Sequence, residues 1–174
     1  ITGMLLTLPL LEGDSVLNIT THLESKGYID LTLSVLETFG ISIINENDTT
    51  FKIAGNQSYQ SQQYTVEGDY SQAAFWLTAG QLGNPVIVDG LKADSLQGDQ
   101  EIIQILKQLQ EPKQHERVID GAQVPDIIPI AALAAALSEG KTSFTNLERL
   151  KIKESDRLMA TQKELAALGA QIIS

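Results

Sequence analysis

The chain alternates between apolar helical runs and short β-like runs, and the same order of elements recurs three times. Each copy has an apolar helix of small residues, a glycine, a short strand, a polar loop and a second, amphipathic helix. The apolar helices are predicted at 1–11, 71–79 and 127–137, the strands at 16–19, 86–88 and 142–145, and the amphipathic helices at 31–39, 102–109 and 158–168. This alternation is typical of the α/β class, and repeats of this length must stack to bury their apolar faces.

Glycines and polar runs mark where these elements end. Gly40 and Gly169 each follow an amphipathic helix, at the position where a left-handed C-cap is expected. Further strand-like segments are predicted at 41–44, 51–54, 64–66 and 171–173. The polar, non-periodic start of segment 57–69 makes this the best candidate boundary, so we expect two bodies with a crossover between them.

The two ends and the charge narrow the class of protein. The apolar start has no basic region and no cleavage-like site, and it is too short to span a bilayer. We therefore expect a buried helix there, and an apolar start together with a strand-like end predicts a chain truncated at both ends. The net charge of −10, from 22 acidic and 12 basic residues, argues against nucleic-acid or membrane-surface partners.

The cysteine and histidine content excludes several chemistries. The chain has no cysteine, which removes disulfides, thiolate metal sites and thiol catalysis. This is compatible with the cytoplasm, which is the expected location. His22 and His115 are far apart, so we interpret both as surface or loop residues and expect neither a histidine metal site nor a Ser-His-Asp triad.

The strongest candidate for chemistry is the cationic segment 149–158. Four of the 12 basic residues fall within nine positions there: Arg149, Lys151, Lys153 and Arg157. They precede a predicted helix, whose free N–H groups and dipole also favour an anion. Lys153 and Arg157 share a face if this turn is helical, Ser155 is a natural N-cap, and Glu154 is placed to carry a proton. The alternative is a solvated, charged helix cap.

A second candidate is Asp126, the last acid before the almost wholly apolar run 127–137. A carboxylate at the entry of a buried helix is usually an N-cap. The alternative is a general base at the edge of the core, able to take a proton from a substrate hydroxyl.

Two polar segments ahead of helices are equally ambiguous. In 25–30, Ser25, a lysine and Tyr28 could grip a phosphate and a hydroxyl, although a plain loop would look the same. In 67–71, an aspartate or a serine would simply cap the following helix. Phe75, Trp76 and Leu77 of that helix are interpreted as core residues.

Taken in order, these segments resemble the 5-enolpyruvylshikimate-3-phosphate (EPSP) synthase family over essentially the whole chain. The matching stretches are Ser25-Lys26-x-Tyr28-Ile29-Asp30, Val66-Glu67-Gly68-Asp69, Gln97-Gly98-Asp99, Pro125-Asp126 and Lys153-Glu154-Ser155-Asp156-Arg157. The last of these is the most specific. The resemblance covers less than half of a full-length enzyme.

The resemblance implies a two-lobe fold, an inside-out α/β barrel of repeated βαβαββ-type units with the active site in the cleft between lobes. Residues 1–67 would be the C-terminal part of one lobe, and 68–174 about two units of the second. The implied reaction, in the shikimate pathway to chorismate and the aromatic amino acids, transfers the enolpyruvyl group of phosphoenolpyruvate to the 5-hydroxyl of shikimate 3-phosphate. No cofactor and no metal are implied.

The resemblance also implies roles for single residues. Asp126 would bind and deprotonate the shikimate hydroxyl, and Lys153 with Glu154 would shuttle protons and contact phosphoenolpyruvate. Arg157 would bind the anionic end of phosphoenolpyruvate, and Ser25 and Tyr28 would contact shikimate 3-phosphate. Both substrates are polyanions, so preorganised cations and a well-placed base suit this chemistry.

The family's other cationic residues and its Ser-Ser-Gln stretch have no counterparts in these 174 residues. We therefore expect the isolated chain to be inactive or nearly so, and to self-associate through apolar faces. The alternatives are a related transferase acting on UDP-N-acetylglucosamine, and a non-catalytic anion-binding or interaction module. The missing cysteine and the Lys-Glu-Ser-Asp-Arg string argue against the related transferase.

Overall fold

The computed structural model describes residues 1–111 and 116–173. The chain forms two compact units, Ile1–Val66 and Glu67–Ser174. Both combine helices with a small sheet, so the predicted α/β class is confirmed. The predicted boundary lies one residue later, between residues 67 and 68, and the assignment of the units to two family lobes stays a prediction. In the described part, no helix is long and apolar enough to cross a membrane.

The first unit is a β-α-β-β arrangement preceded by a short helix. Its elements are α1 (Thr2–Thr7), a 3-10 turn (Leu8–Leu10), β1 (Ser15–Asn18), α2 (Lys26–Thr38), β2 (Ile43–Glu46) and β3 (Thr50–Ile53). The strand β3 lies centrally, antiparallel to both neighbours, with Phe51 opposite Leu17 on one side and Asn45 on the other. Burying Phe51 against α1 and α2 builds the core: Leu5, Ile29, Leu36, Ile41, Phe51 and Ile53.

Left-handed residues close the connections of this unit. Gly40 has φ +82° immediately after α2, as the C-cap prediction required. The β2–β3 hairpin turns through Asn47 and Asp48, both with φ near +60°. Asparagine and aspartate tolerate this conformation better than other side-chain-bearing residues, which explains a tight turn without glycine.

The second unit contains a β-α-β crossover surrounded by helices. Its elements are α3 (Tyr70–Gln81), a 3-10 turn (Gly98–Glu101), α4 (Ile102–Gln110), β4 (Arg117–Asp120), α5 (Ile128–Ala136), β5 (Thr142–Thr145), a second 3-10 turn (Glu148–Ile152) and α6 (Arg157–Ala167). The strands β4 and β5 are parallel, with Ile119 opposite Phe144. The apolar helix α5 lies in the middle of the core and contacts α3, α4 and α6, because it has hardly any polar side chain to keep in water.

Two close packing arrangements hold this unit together. Gly121 follows β4, and a Cβ there would lie 2.5 Å from Leu147 Cδ2 and 2.9 Å from Ile128 Cδ1. Arg117 is 2% exposed, and its partners among the described residues are all backbone oxygens, those of Gln108, Leu109, Glu111 and Glu139. Its guanidinium therefore ties the end of α4 to the loop after α5.

Several local predictions were wrong. Segments 64–66, 86–88 and 171–173 are not strands, because none of them has a hydrogen-bonded neighbour with which to pair. The strand β4 was missed, since it begins and ends on charged residues and offers only two apolar ones. The helix α2 begins at Lys26, five residues early, where an ion pair with Asp30 stabilises its first turn.

The predictions for aromatic and histidine residues had mixed outcomes. Phe75 and Trp76 are not core, since they are 53% and 61% exposed on the outer face of α3. Leu77 does pack against the core of the second unit. His22 lies exposed in a loop, as expected, and His115 lies outside the described residues.

Candidate active site

Four of the predicted site residues lie together in the second unit. Asp126 lies in the turn before α5. Lys153 and Glu154 follow the 3-10 turn Glu148–Ile152, and Arg157 is the first residue of α6. The fold brings them together because α5 and α6 pack side by side. Asp126 thus reaches two cations that are 27 and 31 residues away in sequence.

Asp126 bridges both cations through one oxygen. Its Oδ1 accepts from Lys153 Nζ at 3.0 Å and from Arg157 Nη1 at 2.8 Å. The three side chains are between 24% and 29% exposed, so the cluster is partly shielded from water yet still open. Among the described residues nothing hydrogen-bonds to Oδ2, which leaves that oxygen available to a ligand. The N-cap interpretation of Asp126 is wrong, since Ile127 occupies that position and no side chain caps α5.

The cations converge for a different reason than the one expected. Lys153 has an extended backbone, with φ −76° and ψ −166°, and lies before the helix begins. The helix α6 is capped by Asp156, which accepts from Met159 N at 2.9 Å, so the assignment of Ser155 as N-cap is wrong. The bend between Lys153 and Asp156, rather than a shared helical face, directs both cations to Asp126.

Glu154 forms a two-point contact with the same arginine. Its Oε1 accepts from Arg157 Nε at 2.8 Å and its Oε2 accepts from Arg157 Nη2 at 3.0 Å. The Glu154 side chain is 67% exposed, so water screens this pair more than the Asp126 pairs. Arg157 therefore uses all three of its nitrogens on carboxylates.

The two carboxylates are biased towards their charged forms. Burial alone would raise the pKa of Asp126, but hydrogen bonds and charge from Lys153 and then Arg157 outweigh it, and the pKa lies below its ordinary value. The hydrogen bond from Arg157 is the main reason that the pKa of Glu154 is lowered. The same bond raises the pKa of Arg157. The cluster is thus two cations matched by two carboxylates.

A lowered pKa also limits what Asp126 does at rest. A carboxylate that two cations hold in its charged form is a weak proton acceptor. An anion that bound beside Lys153 or Arg157 would offset part of their positive charge and make Asp126 a stronger base. The arrangement therefore couples anion binding to base strength.

Ser25 and Tyr28 lie in the first unit, at the start of α2. Ser25 is the N-cap residue, in the left-handed conformation with φ +53°, and its carbonyl accepts from Tyr28 N at 3.1 Å. Lys26 between them contacts Asp30 at 2.6 Å and Asp48 at 3.5 Å. The hydrogen bond to Asp30 is the largest cause that raises the pKa of Lys26. The sequence did not reveal the link to Asp48, which depends on the hairpin turn.

Two other stretches that carry the family resemblance, 66–69 and 97–99, form a polar network at the start of α3. Asp69 caps the helix, accepting from Ser71 N at 2.7 Å and Gln72 N at 3.2 Å, as one of the two interpretations held. Gln97 accepts from Tyr70 N and donates to the Gly68 carbonyl, and buried Asp99 accepts from the Ser71 hydroxyl. This network fixes the segment that opens the second unit. Within the described residues, no group of three or more acidic or histidine side chains is placed to hold a metal ion.

Comparison with known proteins identifies the family. The family model for EPSP synthase (3-phosphoshikimate 1-carboxyvinyltransferase) matches residues 1–174. Proteins named 3-phosphoshikimate 1-carboxyvinyltransferase are similar along 99% of the chain: one from Clostridium botulinum (strain Alaska E43) at 54% identity, one from Clostridium beijerinckii at 52% and one from Clostridioides difficile at 50%. The chain spans 42–43% of the length of these relatives. The family match over the whole chain therefore shows that it belongs to the EPSP synthase family.

Proposed function

We propose that the chain supplies part of the active site of an EPSP synthase. The reaction would transfer the enolpyruvyl group of phosphoenolpyruvate to the 5-hydroxyl of shikimate 3-phosphate and release phosphate. The observation that carries this proposal is the Asp126 carboxylate held by Lys153 and Arg157, at 3.0 and 2.8 Å, in a member of that family.

In this proposal the two oxygens of Asp126 have different roles. Oδ1 is held by the cations, while Oδ2, to which no described residue hydrogen-bonds, would accept a proton from the substrate hydroxyl. Lys153 and Glu154, next to it, would move protons to and from phosphoenolpyruvate. Arg157 would bind the anionic end of that substrate, since a guanidinium matches a planar carboxylate at two points.

Ser25 and Tyr28 are proposed as contacts for shikimate 3-phosphate. Both offer a hydroxyl, and the left-handed backbone at Ser25 is the kind of conformation that binding sites retain. The units 1–66 and 67–174 are correspondingly proposed to be parts of the two lobes of the family fold.

The isolated chain is expected to show little or no turnover. Lys153 and Arg157 are already neutralised by Asp126 and Glu154, so this cluster has no net positive charge for two polyanionic substrates. Turnover therefore requires additional cations, which a full-length relative would supply. Measurable phosphate release by the pure chain from shikimate 3-phosphate and phosphoenolpyruvate would contradict this.

A chimera tests the proposed function directly. The matched segment of the Clostridium botulinum relative is replaced by these 174 residues, and phosphate release from the two substrates is measured. We expect turnover, and Asp126→Asn should lower kcat about 10²- to 10⁴-fold, the range for a lost general base. Asp94→Asn, at an exposed position, is the matched control. A folded chimera without turnover, or one indifferent to Asp126→Asn, would refute the proposal.

Asp126→Asn together with Lys153→Glu discriminates the proposed enzyme from a non-catalytic anion-binding module. Binding of shikimate 3-phosphate should need both Asp126 and Lys153 if the site derives from an enzyme. A generic anion site should lose affinity with Lys153→Glu but should not lose affinity with Asp126→Asn, because a neutral side chain repels anions less than a carboxylate does.

Self-association and location also remain proposals. Several apolar side chains of the second unit are largely exposed, among them Val118, Ile152 and Leu168, so we expect association of copies of the chain. A monodisperse monomer in light scattering would count against it.

The absence of cysteine is compatible with the proposed cytoplasmic location.

A further inference from the structure

The two-point edge of the Arg157 guanidinium is already occupied. Nε and Nη2 form the side of the fork that recognises a planar carboxylate, and both donate to Glu154. The remaining nitrogen, Nη1, donates to Asp126. The carboxylate of Glu154 therefore occupies the position on Arg157 where a carboxylate ligand would bind.

We propose that Glu154 is an internal ligand of Arg157, which a substrate carboxylate has to displace before it can bind. The inference rests on the proposed function, in which Arg157 holds the carboxylate of phosphoenolpyruvate. It makes Glu154 a determinant of access to the arginine, in addition to any role in moving protons.

Exposure decides which of the two carboxylates leaves. Glu154 is 67% exposed and extends from the bend before α6, so it can turn into water at small cost. Asp126 is 29% exposed and is also held by Lys153, so losing Arg157 would leave it partly buried beside a single cation. The exchange therefore occurs on the Glu154 side, and Asp126 stays in place to orient Arg157.

Displacement has a consequence for the proton on Glu154. The hydrogen bond from Arg157 is the largest cause of its lowered pKa, with smaller contributions from the charges of Arg157 and Lys153. Once a ligand takes the arginine, Glu154 loses that bond and stands near a new negative charge, and both changes favour the protonated form. Binding would thus prepare Glu154 to donate a proton.

The test measures carboxylate binding at Arg157 itself. Pyruvate, a carboxylate without a phosphate, is titrated into the isotope-labelled 174-residue chain while the Arg157 Nε–H signal is followed by NMR. Glu154→Gln keeps the size of the side chain and removes its charge. We expect about two- to fivefold tighter pyruvate binding in this variant, the range set by the loss of a largely exposed ion pair.

Glu164→Gln is the matched control, because it removes the same charge from an exposed position on α6. It should leave pyruvate binding at Arg157 within experimental error of the unsubstituted chain. An equal gain in both variants would mean that only net charge matters and would overturn the inference. Unchanged affinity in Glu154→Gln, or no binding in any of the three chains, would overturn it as well.

The outcome is separable from that of the proposed function. A chimera that turns over while Glu154→Gln leaves pyruvate binding unchanged would refute the exchange at Arg157 alone. A chimera without turnover, combined with tighter binding in Glu154→Gln, would refute the proposed reaction and leave Arg157 as a carboxylate site that Glu154 occupies.

Discussion

Replacing the buried Arg117 by methionine should destabilise the second unit strongly. Arg117 is 2% exposed, and within the described residues no carboxylate pairs with it. It donates to the carbonyls of Glu139 at 2.6 Å, Glu111 at 2.8 Å and Gln108 at 3.1 Å, with a longer contact of 3.4 Å to Leu109. Methionine has a similar length but cannot donate a hydrogen bond.

The expected decrease in the free energy of unfolding follows from these contacts. Each buried acceptor left without a donor costs about 1–3 kcal/mol, and the contacts share one side chain, so their costs do not add fully. Water can reach some of the carbonyls, because the hydrogen bonds to Glu111 and Glu139 are only partly buried, and methionine regains some apolar burial. We therefore expect a net loss of about 3 kcal/mol, a large part of the roughly 5–15 kcal/mol that stabilises a typical domain.

Urea denaturation checks this prediction. The chain has one tryptophan, Trp76 in α3, so its fluorescence reports on the second unit. Lys107→Met is the control, since Lys107 is an exposed cation on α4 and its loss should change the free energy of unfolding by no more than about 0.5 kcal/mol. A loss below about 1 kcal/mol in Arg117→Met, or one equal to that of the control, would refute the reasoning.

Three further predictions concern single contacts. The pKa of Asp126 is lowered in the folded chain, so the stabilisation from its charged form is complete above the unfolded pKa of about 3.9 and is lost as pH falls through the folded pKa. The difference in urea midpoint between the unsubstituted chain and Asp126→Asn should therefore shrink on acidification. Gly121→Ala should cost about 1–3 kcal/mol in the same denaturation assay, because the added Cβ would lie 2.5 Å from Leu147 Cδ2, and an unchanged midpoint would contradict this packing. Asp69→Ala should cost about 1 kcal/mol by removing the cap of α3, whereas Asp69→Ser should retain most of the stability; equal losses would argue against capping.

The sequence predicted elements with strong periodicity and clear caps. The span of β5 was predicted residue for residue, and α5 and α6 were placed within one residue at each end. Gly40 and Gly169 have the left-handed conformation expected of C-caps. These features depend on local preferences, which a single chain displays directly.

The sequence did not predict features that depend on distant neighbours. A strand such as β4, with only two apolar residues, is defined by its pairing with β5. The contacts of Asp126 bridge 27 and 31 residues, so spacing alone favoured the helix cap. The resemblance to a family named the four residues that the fold brings together around Arg157, and their roles stay predictions; it did not reveal that Glu154 occupies the Arg157 fork.

The position of Arg157 on α6 links the site to local unfolding. Only Leu165 of this helix is fully buried, and Leu158 is partly so, which is little apolar area to hold eleven residues in place. Partial detachment of α6 would therefore require less free energy than unfolding α5, whose side chains fill the core. Hydrogen exchange should report this as faster exchange in α6 than in α5. A ligand that bridges Arg157 and residues beside α5 would reduce this difference in exchange rate between α6 and α5. Binding would then be visible as protection of amides well beyond the residues that the ligand touches.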